Sequence, residues 1–77
     1  MGHAHTPADD IFYDLVSVQY HALKEAQVCE QYLKDAEGHP DVQQFISQIQ
    51  QEDNRRAEQA HELLKQLTRE AGGGMNP

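Results

Sequence analysis

The chain has little of anything that staples or anchors a small protein. Its one cysteine, Cys29, leaves no intrachain disulfide to form. No Cys-x-x-Cys or Cys/His finger spacing is present, so a structural zinc is excluded as well. There is no tryptophan, and no apolar run reaches the length of a membrane span or a signal-peptide core. Basic residues are scarce, six against thirteen acids for a formal net charge of -7. That balance argues against non-specific nucleic-acid binding, which needs a basic stripe, and no membrane partner is expected. At 77 residues there is room for one domain, and folding buries only about 60–65% of the unfolded surface. Added stability must come from long, well-packed helices or from a second copy of the chain. A cytoplasmic location is expected.

The few prolines and glycines present are informative by position. Thr6-Pro7 reads as a helix start, with Thr6 as N-cap and Pro7 at the first helical position. Gly38 fits the left-handed residue that closes a helix, and Pro40 opens the next. Gly72-Gly73-Gly74 reads as a stop. The expected organisation is a flexible segment over 1–6, a helix over 7–36, a turn over 37–39, a helix over 40–70 and a flexible tail over 71–77.

Periodicity supports both helices. Ile11, Phe12, Leu15, Ala22, Leu23, Ala26, Cys29 and Leu33 recur at three-four spacing. So do Val42, Phe45, Ile46, Ile49, Ala57, Ala60, Leu63, Leu64 and Leu67. The ten glutamines sit among these apolar positions, so they read as helix formers and not as a low-complexity tract. No strand-like alternation appears. A short connection between two helices of about 45 Å forces an all-α antiparallel hairpin. One hairpin leaves part of each apolar stripe wet. Phe12, Leu15, Leu23, Phe45, Ile46, Ile49, Leu63, Leu64 and Leu67 are therefore expected to form the core and interface of a homodimer, two hairpins making a four-helix bundle.

The stretch His39–Leu67, HPDVQQFISQIQQEDNRRAEQAHELLKQL, resembles the second helix of a ferritin-like hairpin, as in spore coat protein F and rubrerythrin-type proteins. The shared pattern is a proline-opened helix, an apolar three-four repeat, a run of acids and a Glu-x-x-His motif. The resemblance implies a bundle whose inward-facing Glu-x-x-His pairs, joined by glutamates from the other helices, hold two iron or manganese ions.

Two placements of that site compete. The literal motif is Glu58-Gln59-Ala60-His61, with Glu25 on the first helix and Tyr32 seven residues after it. By helix phase, Glu58 points about 170° and His61 about 110° from the apolar centre of their helix. The phase-matched placement instead puts Asp53 at the glutamate position and Arg56 at the histidine position. Arginine cannot ligate a metal, so this placement implies a degenerate site with Asp53 and Arg56 as a buried polar layer. A core arginine there requires a paired carboxylate, from Asp53, Glu52 or Glu30.

Other features read as ordinary. Cys29 reads as a small buried thiol and His21 as a surface histidine. Met1-Gly2-His3-Ala4-His5 is an incidental copper or nickel chelator at most. The myristoylation pattern from Gly2 to Thr6 has no basic residues after it to support anchoring.

The expected function is that of a non-enzymatic structural or interaction module acting through homo-oligomerisation, with itself as partner and no cofactor. The alternative is a ferroxidase-like protein that binds iron or manganese through Glu25, Glu58 and His61 at an oligomer interface.

Overall fold

The computed structural model describes residues 7–75, with side-chain environments for residues 10–70. Helix α1 spans Pro7–Asp35 and helix α2 spans Pro40–Met75. They pack along their length as an antiparallel hairpin, 55 × 24 × 15 Å in extent. The proposed N-cap Thr6 and the chelating segment over 1–5 lie outside the described residues.

The turn follows the sequence signals closely. Gly38 has φ of 87°, a conformation that other residues adopt at a cost. His39 N–H donates to Ala36 O at 2.9 Å, closing the turn. The His39 carbonyl then accepts from Gln43 N–H at 2.9 Å, which makes His39 the cap and Pro40 the first residue of α2. Carbonyls at the end of α1 also find donors. Tyr32 O accepts from Ala36 N–H at 3.0 Å and Lys34 O from Glu37 N–H at 3.2 Å.

At its other end α2 departs from expectation. It does not stop near residue 70 but continues through the three glycines to Met75. Among the described residues only Gly38 has positive φ, so Gly72, Gly73 and Gly74 take helical backbone angles. Glycine costs about 1 kcal/mol relative to alanine in a helix interior, which disfavours continuation without forbidding it.

The seam between the helices is made of small side chains. Ala22, Ala26 and Cys29 of α1, Ala36 of the turn, and Ala57 and Ala60 of α2 are buried along it. Recurring at three, four and seven residues, they let the two backbones approach closely. Leu15, Leu33, Ile46, Ile49, Leu64 and Leu67 lie half-buried beside them. Phe12, Leu23, Phe45 and Leu63, expected to be part of a core or interface, are exposed in the single hairpin. The physical reason is the tight seam, which leaves no space between the helices for large side chains and turns them outward on both flanks.

Candidate functional site

The central polar layer lies about midway along the hairpin. Asp53 is 2% exposed, the one buried charged residue among those described. Its Oδ1 accepts from Arg56 Nη1 at 2.8 Å, one turn on along α2. No donor among the described residues reaches its Oδ2. The Arg56 side chain, expected in the interior, is 54% exposed. Its long stem carries the guanidinium past the seam to the exposed rim.

Glu25 of α1 completes the layer. Its carboxyl lies close to Asp53, and a hydrogen bond between them would require a proton, because both groups otherwise only accept. Hydrogen bonding toward Asp53 and the Asp53 charge push the Glu25 pKa up from its ordinary 4.5, helped by desolvation and opposed by the Arg56 charge. The layer is thus an acid pair with a guanidinium at its edge. Beneath it, fully buried Cys29 has its thiol pushed up by burial first, then by the Glu25, Asp53 and Glu30 charges. The neutral thiol is favoured, which makes Cys29 a poor nucleophile.

The seam separates two flanks. On one, Gln19 and Leu23 of α1 and Asn54, Ala57, Glu58, His61 and Glu62 of α2 line an open hollow. Gln50 ties the helices on this flank, its Nε2 donating to Ala26 O at 2.8 Å and to Glu30 Oε2 at 2.9 Å. Nearer the turn, Gln43 Nε2 donates to Leu33 O at 3.3 Å. On the other flank, Tyr32 and Ala36 meet Val42 and Ile46 in a second open hollow beside the turn. Helix phase carries this flank along α2 through Phe45, Glu52, Arg56 and Leu63.

The sequence-proposed metal residues therefore divide. Glu58 and His61 share the first flank, whereas Glu25 stands with Asp53 and Arg56 on the second. Among the described residues no group of three or more histidine, cysteine, aspartate or glutamate side chains is placed to hold a metal ion. Within one chain, Glu25, Glu58 and His61 do not fit a shared di-metal site. Helix phase alone does not find the proximity of Glu25 and Asp53, because it sets only the core-facing residues of α1 against Asp53. Distance from the turn was the usable signal, since Glu25 and Asp53 lie at similar chain separations from Gly38. The amide ties of Gln43 and Gln50 carried no comparable signal among ten glutamines.

No helix among the described residues is long and apolar enough to cross a membrane. No family model matches the chain, and comparison with curated proteins and with solved structures finds no match.

Proposed function

We propose that the hairpin is a non-enzymatic, self-associating structural module, two copies packing into a ferritin-like four-helix bundle in the cytoplasm. One observation carries this reading. The seam buries only alanine and cysteine among its apolar residues, while Phe12, Leu23, Phe45, Leu63 and other large apolar side chains stay exposed. A buried methyl contributes on the order of 0.8 kcal/mol, against about 1.5–3 kcal/mol for a fully buried leucine or phenylalanine. A large share of the apolar surface encoded in the sequence is therefore still available to a second copy.

Sedimentation equilibrium tests the reading. At micromolar concentration the mass should be at least twice the 8.7 kDa of the chain. A monomer across the accessible concentration range would overturn it. Metal analysis of protein purified without a tag tests the rival reading as an iron- or manganese-binding protein. That reading gains only from near-stoichiometric metal that is lost in both Glu58→Ala and His61→Ala, with Glu25 then reaching them from another copy.

A further inference from the structure

Phe45, Glu52, Arg56 and Leu63 follow one another along α2 at steps of seven, four and seven residues. Each step is close to a whole number of helical turns, so the four side chains share one stripe. All four are exposed, Phe45 to 61% and Leu63 to 46%. The stripe reads the same from either end in position and complementary in chemistry. Phe45 and Leu63 are equidistant from Asn54, as are Glu52 and Arg56.

We infer that α2 packs antiparallel against α2 of a second copy about a two-fold axis level with Asn54. Phe45 of each chain then meets Leu63 of the other, and Glu52 of each meets Arg56 of the other. This rests on the self-association reading and adds to it the flank, the direction and the register. A two-fold interface must be self-complementary, and an antiparallel palindrome of opposite charges between two apolar residues meets that requirement.

Charge supports the same partner. Arg56 spends Nη1 on Asp53 within its own chain and keeps its other donors toward the exposed rim. On α1, exposed Tyr32 and Val18 are likewise equidistant from Glu25, which sits beside Asp53. The axis that pairs the α2 stripes therefore also pairs Tyr32 with Val18 across the α1 helices. The two Glu25 carboxyls then lie near the axis, with the Arg56 guanidinium groups only partly opposing their charge. The opposite flank carries exposed Leu23 on α1 but is a weaker candidate. Amide ties to Ala26, Glu30 and Leu33 already occupy it, and α2 presents Asn54, Glu58 and His61 there.

Charge exchange tests the register. Glu52→Arg alone sets arginine against arginine twice across the axis, and Arg56→Glu alone sets glutamate against glutamate twice. Each single variant should self-associate at least about tenfold more weakly than the unaltered chain. An equimolar mixture of the two should return to a dimer, because both inter-chain pairs are then restored. Mixing cannot restore a pair within one chain, so recovery reports the contact between copies. Single variants that stay dimeric, or that keep their helix content and fail to recover on mixing, overturn the inference while self-association stands. An unaltered chain that never dimerises removes both.

If Arg56→Glu loses its helix content, oxidative cross-linking decides the matter. In a Cys29→Ala background, Phe45→Cys with Leu63→Cys should form a covalent dimer readily, and Phe45→Cys alone should not. In the antiparallel register the two Phe45 positions lie far beyond the roughly 4.4–6.8 Å between Cα atoms that a disulfide spans. Cross-linking of Phe45→Cys alone that matches the double variant would overturn the antiparallel arrangement.

Discussion

The two flanks of the seam hold the same helices together in different ways. On the flank of Gln43 and Gln50, amide side chains reach across to carbonyl oxygens of α1 and satisfy both partners within one chain. On the flank of Glu25 and Arg56, the polar groups are left partly unmatched. Asp53 has an oxygen without a donor, Glu25 binds its proton more tightly than usual, and Arg56 extends into solvent. Phe45 and Leu63 of α2 accompany that unmatched layer, while Leu23 of α1 stands on the tied flank. The contrast teaches that a hairpin with so small a core separates its tasks, one flank fastening the chain to itself and the other remaining open for association.

The seam of small side chains sets both flanks apart, and the largest effect should come from spoiling it. Ala57→Leu forces a branched side chain between backbones that meet over methyl groups. It should cost about 3 kcal/mol in urea denaturation, the upper end for overpacking. A cost under about 0.5 kcal/mol would show a loose seam and remove the reason for the exposed leucines and phenylalanines.

Next comes the open flank. Arg56→Ala leaves both oxygens of buried Asp53 without a donor from α2 and should destabilise the fold by about 2 kcal/mol. An unchanged denaturation midpoint would mean that water reaches Asp53 freely. On the tied flank, Gln50→Ala removes a two-acceptor bridge and should cost about 1 kcal/mol. An effect larger than that of Arg56→Ala would reverse the contrast between the flanks.

Glu25 gives a smaller effect with a distinctive pH signature. Its raised pKa means that the folded chain holds this proton more tightly than the unfolded chain does. Its contribution to stability is complete below the ordinary value of 4.5 and is lost as pH rises through the raised value. Glu25→Gln keeps a permanent donor facing Asp53 and carries no charge. The variant should melt slightly higher at neutral pH and lose that part of the pH dependence. An unchanged pH profile would show that the two carboxyls do not share a proton.

The smallest effects belong to Glu58→Ala and His61→Ala. Both side chains are exposed on the tied flank, and each change should move stability by no more than about 0.5 kcal/mol. A larger loss in thermal melts would give this hollow a structural weight that its geometry does not suggest.

Much of the fold was legible because its signals are local. Pro7, Gly38 and Pro40 act through backbone geometry within a turn or two, and each is found where its chemistry requires. The glycine run misled because helix propensity is a small energy and not a rule. The polar layer was half legible. Phase placed Asp53 inside, but it placed Arg56 there too, since phase describes where a side chain starts and not where a long stem ends.

By itself, then, the sequence determined two long helices, the turn between them and a net-acidic surface, because caps, periodicity and charge act at short range or by simple addition. Tertiary structure decided the rest. The inter-helix register set Glu25 beside Asp53 and Gln50 between Ala26 and Glu30. Close approach over alanines turned Phe45 and Leu63 outward. It also put Glu25 and His61 on opposite flanks. These outcomes depend on how tightly two distant segments can pack, a balance of excluded volume and buried area that no single stretch of chain contains.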